Sequence, residues 1–345
     1  MGDINPITKK IQAINLETYS VFADLCQKHN LRYFAISGTA LGVELWDGFI
    51  PWDDDMDIAM PIDDFEKFRK TVVKKLPEPY AFIEIPELGG KLYNKNTTLI
   101  EAPYAFSPSH YYGVFIDIVP LIGLPDDSIK RAEFSSDMKR YIVEASAHDR
   151  APELHVFTGQ TTQKIKSWRQ KLITKYPFGT TKYCTDFSCI KCPTYLTEGF
   201  LTPTVAKFEN TTIPISSTQS QDLITAYGKI IKNVPKAERQ LVHHNFYAFC
   251  DLNTPCQKYI DSFMKQKTDK WLKEISYKDH LFGISSAREA GLYKNYCLEL
   301  ESKIKQYQDD IDALRNSSSY KLGDRIIKPF NKTKNLVKKL ISNSR

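Results

Sequence analysis

Apolar residues near the N-terminus recur at Ile7, Ile11, Ile14, Val21, Phe22 and Leu25, a helical spacing that predicts one long amphipathic helix ending at "KHN" (28–30). The period then changes. "RYFAI" (32–36) reads as a short buried strand, "SGTALGVELW" (37–46) as a turn entering a helix, and "MDIAM" (56–60) as a strand. "IDDFEKFRKTVVKKL" (62–76) reads as a helix capped by Asp63 or Asp64. "YAFIEI", "GKLYNK", "TTLIEA" and "GVFIDIVPL" read as further strands separated by Pro, Gly and Asn turns. Helix and strand alternate over the first 125 residues, which predicts an α+β fold with helices packed on a mixed sheet. Residues 126–182 read as mostly helical, 183–215 as loop-rich and 219–285 as helical again.

Two different patterns follow. Tyr293, Cys297, Leu300, Ile304, Tyr307, Ile311 and Leu314 alternate by four and three, a seam of about three heptads. It predicts a short coiled coil that packs onto the body or joins subunits of a homo-oligomer. In 318–345, Leu322, Ile326, Phe330, Val337, Leu340 and Ile341 interleave with eight basic residues and one acid, Asp324. Such a basic amphipathic tail suits an anionic membrane surface, with a solvated end as the alternative. The expected divisions are therefore a core at 1–125, a mainly helical region at 126–285, a coiled-coil helix at 286–317 and the tail at 318–345.

Composition changes little in this picture. A chain with 42% hydrophobic and 26% charged residues is globular in class. The net charge of +6 resides in the tail, so the body is near neutrality and lacks a basic patch with interleaved aromatics. Nucleic acid is not an expected partner. With no apolar run of membrane-spanning length and no secretory leader in "MGDINPITKKIQAINLETYS", the expected location is cytoplasmic, peripheral on the inner face of the membrane.

The chemistry is concentrated in "IPWDDDMDIAMP" (50–61). Asp53, Asp54, Asp55 and Asp57 crowd together among Ile50, Trp52, Met56, Ile58 and Met60, although aspartate is a poor strand resident. Strand alternation puts Asp55 and Asp57 on one face, about 6.6 Å apart along the chain. Carboxylates leaning together from there can share a hard cation. Asp117, flanked by Phe115, Ile116, Ile118 and Val119, is a third acid in an apolar setting, and a neighbouring strand would bring it to the same ion. Three acids on adjacent strands suit a Mg2+ phosphoryl-transfer site, with Mn2+ as an alternative. Ser37, Gly38 and Thr39, between strand and helix, suit a phosphate oxygen. A solvated turn after Pro51 is the other reading of Asp53 and Asp54, and Asp63 and Asp64 read as capping residues. Cys184, Cys189 and Cys192 in "CTDFSCIKC" offer a minor option for Zn2+, with Cys250, Cys256 or His243 as fourth ligand. Free thiols are the stronger expectation.

The stretch "ISGTALGVELWDGFIPWDDDMDIAMPIDDFEKF" closely resembles the LicD family, which includes bacterial phosphocholine transferases and, more distantly, fukutin and fukutin-related protein. The likeness extends to "GKLYNKNTT", "GVFIDIVPLIGLPDD" and "KFENTTIPISSTQSQDLITAYGKI", roughly residues 20–235 in the family's order. The resemblance implies a nucleotidyltransferase-like fold used to transfer a phospho-alcohol, such as phosphocholine or a phosphopolyol, from a CDP-activated donor to a glycan hydroxyl, releasing CMP. A lipid-linked acceptor would suit the tail. It implies that Asp55 and Asp57 are the metal-binding pair, Asp117 the third acid, as metal ligand or general base, and Asp53 a supporting or second-metal residue. Lys91 matches a basic position able to meet a donor phosphate. Leu45 and Tyr93 depart from the family pattern, each standing where a basic residue is common. The other enzymatic reading is synthesis of an NDP-activated compound; the non-enzymatic one is a nucleotide- or glycan-binding scaffold.

Overall fold

The computed structural model describes residues 6–85, 89–100, 113–150 (side chains to 145), 161–228, 230 and 249–259, with isolated positions between 306 and 317. The chain divides into two compact units, Met1–Ser285 and Ser286–Arg345. In the second, Gln306, Asp309, Ala313 and Asn316 are helical and exposed. The residues of the heptad seam and the basic tail lie outside the described residues.

The first unit opens with α1 (Pro6–His29), whose buried stripe runs through Thr8, Ile11, Asn15, Thr18, Tyr19, Phe22, Leu25 and Cys26. That stripe is more polar than the sequence pattern predicts. Ile7 is exposed, while Asn15 and Thr18 are fully buried. Next come β1 (Phe34–Ala35), α2 (Ser37–Trp46), β2 (Asp57–Pro61) and α3 (Ile62–Lys67). The expected single helix over 62–76 is broken: after α3 the chain widens into a π turn at Phe68–Val72 and tightens into a 3-10 turn at Val73–Lys75. Pro61 occupies the N-cap with no side-chain cap, so neither Asp63 nor Asp64 caps; Asp64 instead pairs with Arg32 at 2.7 Å.

Strands β3 (Tyr80–Ile85), β4 (Gly89–Asn94), β5 (Thr98–Ile100) and β6 (Phe115–Leu124) follow, then α4 (Ser128–Arg150) and α5 (Thr162–Lys175). The region 183–215, expected to be loop-rich, holds β7 (Tyr183–Asp186), β8 (Tyr195–Leu196), α6 (Thr197–Leu201), β9 (Thr204–Phe208) and β10 (Thr211–Ile215). These elements have two to five residues each, too short to build a readable period. Next are α7 (Gln219–Tyr227) and β11 (Phe249–Asp251), which pairs with β5.

Strand β6 is the spine of the main sheet. It pairs in parallel with β2 along one side. Along the other side β4 covers its first half and β7 its second, both antiparallel. Strand β1 adds to β2, β3 to β4 and β8 to β7. The sheet is therefore mixed, as predicted, and takes strands from both sides of residue 125.

Side chains alternate across it. Ile58 and Met60 of β2 and Ile116, Ile118, Ile122 and Leu124 of β6 enter the main core with residues of α1, α3, α4 and α5. Ala59, Val119 and Leu121 face the opposite side, where Phe34, Cys184, Tyr195 and Phe200 form a smaller cluster. The acids of interest alternate with the main-core residues, so they belong to that second face.

Candidate active site

Asp57 opens β2 and is in register with Asp117 of β6, while Lys91 of β4 is in register with Asp117 from the other side. Asp55 lies just outside the strand, in the irregular stretch 53–56. Its carboxylate still converges with the other two: one oxygen each from Asp55, Asp57 and Asp117 lies within 4.8 Å of the others. All three residues are half-buried, so the group is open on one side. Among the described residues this is the group of three or more ligating side chains close enough to share an ion.

Asp53 and Asp54 are buried, at 2% and 4% exposure, which rules out a solvated turn. Burial first, then the negative charge of Asp55 and Asp57, raises the Asp53 carboxyl well above its usual range. The raised Asp53 carboxyl reflects crowded negative charge, which a bound cation would relieve.

Ser37, Gly38 and Thr39 form the first turn of α2, directly beside these acids. Thr39 Oγ1 accepts the Asp57 backbone N–H at 2.7 Å, leaving its hydroxyl proton to donate elsewhere. Gly38 allows a close approach: a Cβ there would stand 3.0 Å from Asp53 Oδ2 and 3.7 Å from Asp57 Oδ2. Ser37 adopts a left-handed backbone, φ 50. The free amides and positive end of a helix dipole therefore adjoin the carboxylates.

Lys91, expected to reach a donor phosphate, has its Nζ 3.1 Å from Asp117 Oδ1 and 3.3 Å from the Phe115 ring centroid. Its side chain is 4% exposed. The lysine is thus a buried partner of the third acid.

Sequence reasoning missed several residues here. Asp186 ends β7 opposite Leu121, on the same face as Asp117. Its Oδ1 accepts the Ser188 N–H at 2.7 Å and hydroxyl at 2.6 Å; burial nonetheless raises its pKa to about 6, with a further push from Asp117. Ile36, Ser37, Tyr195, Phe200, Gln219 and Tyr227 line a cleft beside the turn. Desolvation and the charges of Asp57, Asp53 and Asp55 raise the Tyr227 phenol, so its hydroxyl stays a donor. A buried Asp on a two-faced strand and a Tyr at a helix end carry no sequence signal beyond residue type.

Among the described residues the cysteines form no cluster of three or more ligands. Cys184 packs in the smaller cluster, whereas Cys192 sits in the main core with its Sγ 3.6 Å from the Ser135 carbonyl. Burial pushes the thiols of Cys184, Cys189 and Cys192 up to about 12. His243, one suggested fourth ligand, lies outside the described residues.

Two comparisons accord with this arrangement. Residues 30–152 match the family described as LicD/FKTN/FKRP, nucleotidyltransferase domain. The chain is also similar to lipopolysaccharide cholinephosphotransferase LicD of Haemophilus influenzae, 23% identical over 258 residues that cover 68% of this chain and 94% of that protein. Asp55, Asp57, Asp117 and the Ser37–Thr39 turn all fall inside the stretch 30–152 that is similar to the LicD family.

Proposed function

We propose that this protein is a LicD-type phosphotransferase. It moves a phospho-alcohol of the phosphocholine or phosphopolyol type from a CDP-activated donor to a sugar hydroxyl of a cell-surface glycan, releasing CMP. The observation that carries the reading is the convergence of three carboxylate oxygens within 4.8 Å, on neighbouring strands and beside a helix N-terminus.

The donor set fits a hard divalent cation, Mg2+ or Mn2+: all-oxygen, half-buried and open on one side. Asp55, Asp57 and Asp117 would hold it, and when bound it supplies positive charge against the donor pyrophosphate and the leaving phosphate.

The chain's own groups do the rest. The amides of the Ser37–Thr39 turn and the Thr39 hydroxyl bind and orient a donor phosphate. Lys91 pairs with Asp117 and fixes it in place. The acceptor hydroxyl attacks the phosphorus that carries the alcohol; a phosphorus–oxygen bond forms to the sugar and the one to CMP breaks. The clustered carboxylates are placed to take the hydroxyl proton.

The test is incubation of the full chain with Mg2+, CDP-choline or CDP-polyols, and candidate glycans, following CMP. Asp57→Asn should abolish turnover while the protein stays folded. Full activity of that variant, or in excess EDTA, would sink the metal-dependent mechanism. Release of pyrophosphate from a nucleoside triphosphate would point to nucleotidyl transfer instead. Among the described residues no helix is long and apolar enough to cross a membrane. A peripheral role for 318–345 is tested by liposome flotation with and without that segment, where equal binding rejects it.

A further inference from the structure

Helix α1 precedes the stretch that matches the family, yet its buried polar residues reach into the acidic loop. Asn15, fully buried, donates its Nδ2 to the Asp54 carbonyl at 2.9 Å. Gln12 Nε2 donates to the carbonyls of Asp53 at 2.7 Å and Ile50 at 3.3 Å. A carbonyl held in place fixes the peptide plane leading into the next residue. The planes entering Asp54 and Asp55 are therefore set from α1.

The other end of the loop is gripped from beyond the matched stretch on the C-terminal side. Glu209, at the tip of the β9–β10 hairpin, donates its backbone N–H to the Asp47 carbonyl at 2.7 Å. Its Oε1 accepts the Phe49 N–H at 2.9 Å. The contact relies on Gly48, where a Cβ would stand 2.1 Å from that oxygen and displace the carboxylate. The two grips are joined: Tyr19 of α1 donates its hydroxyl to the Thr212 carbonyl of the hairpin at 2.8 Å.

The choice of Asn15 is informative. Its Oδ1 has no hydrogen-bond partner among the described residues, although the side chain is fully buried. An apolar residue would avoid that cost, so the amide is explained by what its donor holds.

We infer that Gln12, Asn15 and Glu209 are positioning residues of the reaction. Gln12 and Asn15 set the backbone from Asp53 to Asp55, and Glu209 holds the start of the same loop at Asp47 and Phe49, so the working site extends outside residues 30–152. The inference rests on the proposed metal-binding role of Asp55, Asp57 and Asp117.

The test compares wild type with Asn15→Leu, which removes donor and unpartnered acceptor together, and with Gln12→Leu at a half-buried position. Mn2+ affinity is read by calorimetry well below the melting temperature, alongside Tm and hydrogen exchange at Asp53–Asp57. The expected result is an affinity weakened about tenfold or more, the usual scale for residues that orient metal ligands, beyond any fall in Tm from the Asp54 carbonyl losing its donor. Exchange at Asp53–Asp57 should quicken while the rest of the sheet is unaffected. A purely structural role would lower Tm and leave affinity unchanged. Should wild type bind no Mn2+, the metal reading fails, and exchange alone decides the positioning role. Unchanged exchange and affinity in both variants would overturn it; if Asn15→Leu does not fold, Gln12→Leu carries the comparison.

Discussion

Asp57 and Asp117 stand opposite each other, in register, on adjacent parallel strands. Strands in a sheet lie about 4.8 Å apart, so two carboxylates in that relation repel unless positive charge joins them. Lys91 supplies one positive group, on Asp117. Asp57→Asn is therefore expected to melt no lower than wild type in EDTA, whereas Asp117→Asn leaves the buried Lys91 ammonium uncompensated and should melt lower. Wild type should gain about 2.7 kcal/mol at a Mg2+ or Mn2+ concentration 100 times its dissociation constant, and the variants should gain far less. Thermal melts with and without metal make the comparison. Equal stabilisation of wild type and Asp57→Asn would remove Asp57 from the ligand set.

Gly38 separates fold from function in a second way. It lies in a helix, where Ala is favoured over Gly by about 0.5–1 kcal/mol, and its φ is not in the left-handed region. A methyl there would crowd Asp53 and Asp57. Gly38→Ala should keep or raise Tm while slowing CMP release by about a hundredfold, the scale of an ångström-size misplacement. Unimpaired release would mean that the donor does not use this turn.

The parts of this site visible in the sequence share one property: the residue type conflicts with its neighbours. Acids among apolar strand residues and a glycine-hydroxyl turn before a helix are such conflicts, and the structure brings Asp55, Asp57, Asp117 and Ser37–Thr39 together. The strand alternation of "MDIAM" and "GVFIDIVPL" likewise shows which side chains enter the core. What escaped was long-range pairing. Asn15 and Gln12 read as the polar side of an amphipathic helix, because nothing in the local pattern reveals a loop carbonyl thirty-eight or more residues away. Glu209 falls in the stretch read as loop-rich, and its partner Phe49 lies 160 residues upstream. The Lys91–Asp117 pair was not legible, because Asp117 comes from a strand paired with that of Lys91 only in three dimensions.

Glu66 of α3 tests how the helical layer is fastened. Arg69 and Lys70 approach it at 2.6 and 2.9 Å, and Arg169 of α5 at 3.2 Å. Burial alone would raise its pKa, but these cations lower it from 4.5 to about 2. The unfolded chain therefore binds the proton more readily, and the stabilisation is complete above pH 4.5 and lost as pH falls towards 2. Glu66→Gln should cost about 2–3 kcal/mol at pH 7, with the gap to wild type closing between those values. Urea unfolding at several pH values measures it, and a gap independent of pH would exclude the ion pairs as its source.

Asp186 should behave in the opposite sense. Its carboxyl is buried, and although Ser188 hydrogen-bonds the ionised form, desolvation dominates and raises the pKa from 3.8 to about 6. The folded state therefore holds the proton more tightly than the unfolded chain. Its contribution is most favourable below pH 3.8 and is lost as pH rises to 6, above which the full cost of a buried charge remains. Asp186→Asn, which cannot ionise and can still accept from Ser188, provides the uncharged reference. Relative to wild type, the variant should gain stability progressively between pH 4 and 6, reaching about 2–3 kcal/mol, and keep that advantage at higher pH. Equilibrium urea unfolding across this range reads the difference directly. Parallel stability curves for the two proteins would show that Asp186 titrates alike in the folded and unfolded chain, and that the acid-bearing face of the sheet is better solvated at β7 than its burial indicates.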